Sequence, residues 1–128
     1  MSYYFSKTLK IPFDQAVAKA MAGLKNEGFG VLTDIDVTET LRKKLNVTFR
    51  KYRILGACNP SFAYKALEAE DKIGTMLPCN VIVQEHAEGD VEVSAVDPIA
   101  SMQAIQNPNL NDIAEQVQGK LKRVIESL

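Results

Sequence analysis

Two short segments hold the residues of this chain whose types and spacing suit chemistry. One runs Arg53-Ile-Leu-Gly-Ala-Cys-Asn-Pro60 and the other Leu77-Pro-Cys-Asn-Val-Ile-Val83. Each places a Cys-Asn pair at a border of regular structure. Cys58 precedes a helix start, where free first-turn amides and the helix dipole favour a thiolate. Cys79 follows Pro78 at the head of a strand. The simplest reading is two small buried hydrophobes with inert thiols. The sharper reading is a reactive or ligand-touching pair, with Cys58 the exposed thiolate and Cys79 its resolving partner. Asn59 and Asn80 read first as structural amides, one capping a helix and one bridging loop backbone. They also suit the orienting of a bound ligand. Asp97, before Pro98, is most simply a turn or helix cap. With Arg53 it completes the candidate set Cys58, Asn59, Cys79, Asn80, Arg53 and Asp97.

The elements that must position these residues follow from periodicity. Ser2 to Leu9 alternates with Tyr3, Phe5 and Leu9 on one side and Lys7 interrupting the apolar row, which predicts a strand. After Pro12, the residues Phe13, Val17, Ala20, Met21 and Leu24 fall at helical spacing, and Gly28 suits the left-handed position that ends a helix. Phe29 to Ile35 predicts a second strand. A short helix follows Thr38 through Leu45, with Glu39 and Lys43 in the favourable ion-pair order. Phe49 to Cys58 is a third strand, in which Tyr52, Ile54, Gly56 and Cys58 share a face. Asn59-Pro60 then predicts a helix, Asn accepting from first-turn amides and Pro occupying the first helical position. It runs to about Asp71. Cys79 to His86 is a fourth strand, with Cys79, Val81 and Val83 on one face. Val91, Val93 and Ala95 mark a fifth. Asp97-Pro98 opens a short helix through Met102 and Ile105. Ile113, Val117, Leu121, Val124, Ile125 and Leu128 stripe a long last helix.

Together these elements predict one α+β domain over residues 1–128, with four to six strands in a largely antiparallel sheet covered by helices on one face. The 128 residues and 46% apolar composition suffice for a core without staples. No repeat or low-complexity tract interrupts the pattern.

Composition narrows the function classes. A net charge of −1 gives no pull toward nucleic acid or anionic membrane. The N-terminal residues lack a basic segment leading into an apolar run, and no apolar run reaches membrane-spanning length. The expected compartment is therefore the cytoplasm, where two cysteines stay reduced. Two Cys and one His are too few for a four-ligand zinc site or for His-dependent catalysis. Phosphate-loop, dinucleotide, EF-hand and hydrolase-elbow signatures are absent. No metal or cofactor is called for, and the reading leans away from an enzyme.

Charge is unevenly spread. Arg42, Lys43, Lys44, Arg50, Lys51 and Arg53 form a basic run without acids, while Glu85, Glu88, Asp90, Glu92 and Asp97 form an acidic run without Lys or Arg. The simplest account is two solvated surfaces. The sharper ones are anion binding near Pro60 and head-to-tail complementarity in a homodimer.

Ile54-Leu-Gly-Ala-Cys-Asn-Pro60, Leu77-Pro-Cys-Asn-Val-Ile-Val83 and Asp97-Pro98 with Met102, in that order and spacing, resemble the family catalogued as domain of unknown function 302. Gly28 to Asp36 and Ala66 to Glu70 resemble its pattern too. The resemblance implies a small prokaryotic protein with a TATA-binding-protein-like α+β fold, a curved antiparallel sheet backed by helices. It implies no established activity.

The functional expectation is a non-enzymatic module that binds a small ligand or anion near the paired Cys-Asn motifs. The alternatives are a thiol or redox protein using Cys58 and Cys79, and a dimeric interaction domain.

Overall fold

The sequence pattern resolves into alternating strands and helices in a computed structural model that describes residues 2–128. In chain order these are β1 (Tyr4–Leu9), α1 (Phe13–Asn26), β2 (Gly30–Asp36), α2 (Val37–Leu45), β3 (Tyr52–Cys58) and α3 (Pro60–Ala69). They continue with β4 (Cys79–Glu85), β5 (Val91–Val96), α4 (Pro98–Ser101) and α5 (Asn111–Glu126). Single 3-10 turns cover Ile73–Met76 and Pro108–Leu110. The five strands form one open sheet in the order β1-β5-β4-β3-β2, and each neighbouring pair is antiparallel. The α+β architecture with helices on one face agrees with the sequence pattern.

Period two sorts each strand into a helix-facing row and an open row. Leu55, Ala57, Val81, Val83, Val91, Val93 and Ala95 face the helices and are buried. Against them pack Ala16, Ala20 and Leu24 of α1 and Val117, Leu121 and Val124 of α5. Ile113, at the top of the α5 stripe, is half-buried. Lys7 shares the helix-facing row with Phe5 and Leu9. Its ammonium ends on the last turn of α5, donating to the main-chain oxygens of Glu126 at 3.3 Å and Leu128 at 2.5 Å. A Lys in an otherwise apolar row thus lays its stem along the sheet edge and satisfies carbonyls that the helix end leaves free.

Several boundaries differ from the sequence reading for local reasons. The second helix begins at Val37, not after Thr38, because Asp36 at the end of β2 accepts from the Glu39 amide at 2.9 Å. Thr38 instead donates to the Arg50 carbonyl at 2.7 Å. That helix ends on Asn46 in the left-handed region, at φ 53°. The third strand starts at Tyr52 rather than Phe49. The short helix after Asp97 stops at Ser101, and Ile105 lies beyond it.

Gly56 is fixed by its neighbours across both strands. A Cβ there would lie 2.8 Å from Pro78 Cγ and closer still to Thr33 Oγ1. Gly56→Ala is therefore expected to cost about 1–3 kcal/mol through overpacking. Denaturant unfolding would measure it, and Thr33→Ala in the same chain should restore part of the loss. A wild-type midpoint for the single variant would show that the strands yield freely.

Candidate functional site

The two cysteine motifs meet at one end of the sheet. β3 ends at Cys58 and β4 begins at Cys79, and the antiparallel register sets Cys79 opposite Ala57 and Gly30 opposite Cys58. Cys58 and Cys79 are therefore one register step apart. Both thiols are free; Cys79 is buried and Cys58 half-buried. Burial, and secondarily the neighbouring Cys58, push the Cys79 thiol up to about 11. At neutral pH Cys79 is a protonated, poorly nucleophilic thiol.

Between this sheet end and the helices lies a cavity of about 290 Å³. Ala57 and Cys79 supply its sheet wall, and Cys58 borders it from the last position of β3, where the strand gives way to α3. Phe62, Ala63 and Ala66 form the α3 wall, and Ile113, Ala114 and Val117 the α5 wall. Pro98, Met102 and Leu110 contribute the remaining side, and Leu32 and Leu67 line it while staying largely exposed. The space follows from the sequence. Alanines at 63, 66 and 114 stand where larger residues would interdigitate, so α3 and α5 leave a gap against the sheet end. No charged residue lines it, and Asn59 supplies its one side-chain amide. Walls of this composition suit an apolar molecule, through burial and dispersion, more than a charged one, and the thiol and amide are their polar points.

Asn59 does not play the part expected of it. It stands at the N-cap of α3 with extended backbone and Pro60 follows as the first helical residue, but its side chain makes no capping bond. Nδ2 instead reaches toward the Glu27 carbonyl at 3.5 Å, and lies 3.2 Å from where a Cβ on Gly28 would be. The amide ties the α1–β2 turn to the start of α3, beside the cavity.

The six candidate residues do not form one cluster. Cys58, Asn59 and Cys79 line the cavity together. Asn80 follows Cys79 on a strand, so the pleat turns it to the open face, where it is exposed and lines a separate groove. Arg53 lies opposite Asp36 and forms a two-pronged ion pair with Asp34 across β2 and β3. The hydrogen bond from Arg53 holds the Asp34 carboxyl below the ordinary carboxylate range, and Asp34 raises Arg53 in return. Asp97 caps α4, accepting from the Ile99 amide at 3.0 Å, and binds Gln118 Nε2 at 3.1 Å. It joins α4 to α5 as a structural carboxylate. The cavity walls on α3 and α5 had no motif to mark them. Their one sequence signal is the set of small residues on two helices that the topology brings together.

The charged runs find many partners within the chain. Arg42 and Lys43 pair with Glu39, and Arg50 bonds Gln84 through Nε at 3.0 Å. On the acidic side, Asp90 lies 3.8 Å from Lys10 and Glu92 bonds Ser6 and His86. Among the described residues no group of three or more His, Cys, Asp or Glu side chains gathers as metal ligands. No helix among them is long and apolar enough to cross a membrane.

Comparison with known proteins agrees with the fold. No curated protein matches the chain. The chain is similar to a solved structure, the crystal structure of an uncharacterized conserved DUF302 protein from Bacillus stearothermophilus. Sequence identity is 26%, 98% of each chain is covered, and the TM-score is 0.90. The model of the domain of unknown function DUF302 matches residues 5–128, and with nearly the whole length matched the chain belongs to the DUF302 family.

Proposed function

We propose that this chain is a non-enzymatic binding module that holds a small, largely apolar molecule in the cavity beside Cys58, Asn59 and Cys79. The observation that carries this reading is the cavity wall, which is hydrocarbon and sulfur with one amide and no charge. Its volume of about 290 Å³ stands at the small end of ligand pockets. An anion is disfavoured there, because no Lys, Arg or His lines the space to offset the cost of desolvating it. The raised Cys79 thiol also weighs against a resolving cysteine that must ionise to work.

The neutral apolar fluorophore N-phenyl-1-naphthylamine is a suitable probe. It should bind the wild-type chain saturably, and Ala63→Phe, which fills the cavity from α3, should weaken binding roughly tenfold or more. The melting temperature of that variant should stay near wild type, since Ala63 is only half-buried. Undiminished dye affinity in folded Ala63→Phe, or no saturable binding to the wild type, would remove the cavity from consideration.

A further inference from the structure

The sheet face opposite the helices carries a second concavity, of about 370 Å³. Strand register lays out its floor. Tyr52, Gln84 and Glu92 stand in one row across β3, β4 and β5. Ile82 and Ser94 stand in the next. Tyr3 and Tyr4, their rings edge to face at 5.0 Å, form the far end. Glu92 is the single carboxylate of the lining, and no Lys or Arg belongs to it.

The Glu92 charge is held but not neutralised by a permanent cation. Ser6 donates to one oxygen at 2.7 Å, while Gln84 Nε2 at 3.3 Å and His86 Nε2 at 3.1 Å lie against the other. The Ser6 bond lowers the carboxyl below its ordinary range against the opposing effect of burial, with His86 adding to the lowering. The group is thus ionised at neutral pH. Three of the roughly four lone-pair directions of a carboxylate are already engaged. An ammonium that seeks hydrogen bonds gains little there, whereas a cation without N–H groups needs only the charge. The tyrosine rings add faces that attract such a cation. Within the chain the Arg50 guanidinium already lies near the Tyr52 ring, at 5.6 Å from its centroid, and donates to Gln84 at 3.0 Å from outside the groove lining, so this ring accepts a cation from one side.

We propose that this groove binds an organic cation of dispersed charge, of the quaternary ammonium class, with the charge beside Glu92 and the hydrocarbon against Ile82 and the tyrosine rings. A phosphate- or carboxylate-bearing ligand is repelled by the same Glu92. The site lies across the sheet from the apolar cavity, and it stands or falls independently of that cavity.

Choline and its neutral carbon isostere 3,3-dimethylbutan-1-ol, titrated into nitrogen-15-labelled full-length protein, test the proposal through amide shifts. Choline should give saturable shifts at Ile82, Gln84 and Ser94, and the isostere should bind roughly tenfold more weakly. Glu92→Gln should weaken choline by a similar factor and leave the isostere unchanged. Tyr52→Leu should also weaken choline, and it supplies the test should Glu92→Gln not fold. Equal affinity for the isostere, choline affinity retained in either folded variant, or no saturation below roughly 20 mM choline overturns the assignment.

Discussion

Leu121→Ala is expected to lower the unfolding free energy by about 2–5 kcal/mol. Leu121 is fully buried at the middle of the α5 stripe, between Val117 and Val124, in the core shared with α1 and the sheet. The loss combines the transfer free energy of the missing methyl groups with the cavity they leave. Little relaxation is available, because one side of the site is a sheet of β-branched residues, Val81, Val83, Val91 and Val93, each with stiff χ1. Urea unfolding would measure the effect, with Glu115→Ala as a control. Glu115 is exposed on the same helix, and its loss should stay within about 0.5 kcal/mol. Equal effects at the two positions would mean that α5 is not the lid of this core.

The α5 stripe was legible because its spacing is strict and long, and the alternating strands were legible for the same reason. Strand order was less so. Only the β4–β5 hairpin is implied by chain proximity, and the placing of β1 beside β5 depends on contacts between the two ends of the chain. Boundaries shifted where a side chain took an unanticipated partner. Asp36 looks like the last polar residue of a strand, but it caps the following helix. Asn59 looks like a cap, but its amide faces the α1–β2 turn. Both choices are decided by which backbone group lies within reach after folding, and no local pattern holds that information.

The candidate site was legible to a similar degree. An antiparallel return from β3 to β4 brings the end of one strand and the start of the next, and with them Cys58 and Cys79, to one sheet end, and the register sets them one step apart. Asn80 could have been separated from Cys79 at the outset, since successive residues on a strand face opposite sides. Arg53 required the pairing of β2 with β3. That register shifts between Val31 and Thr33, so counting along the sequence does not deliver Asp34 as its partner. The cavity depended on two helices, α3 and α5, whose alanines look like ordinary helix formers until they face each other.

The last expectation concerns Cys79 and has a defined pH window. In the unfolded chain its thiol ionises near the ordinary value of 9.0, whereas the folded chain holds it protonated up to about 11. Below pH 9 both states carry the proton and nothing is lost. Between those values the unfolded state binds fewer protons than the native state, so stability falls as pH rises through the window. Two pKa units correspond to about 2–3 kcal/mol. The wild-type chain should therefore lose that much more stability across the window than Cys79→Ala, in which this proton is absent. Tyrosines and lysines titrate in both chains and cancel in the comparison. Cys58→Ala should keep most of the effect, because burial is the larger cause of the shift and Cys58 the smaller. Parallel stability curves for wild type and Cys79→Ala would show that water reaches the thiol. Cys79 would then recover its candidacy as a resolving cysteine, and the sheet wall of the apolar cavity would no longer be dry.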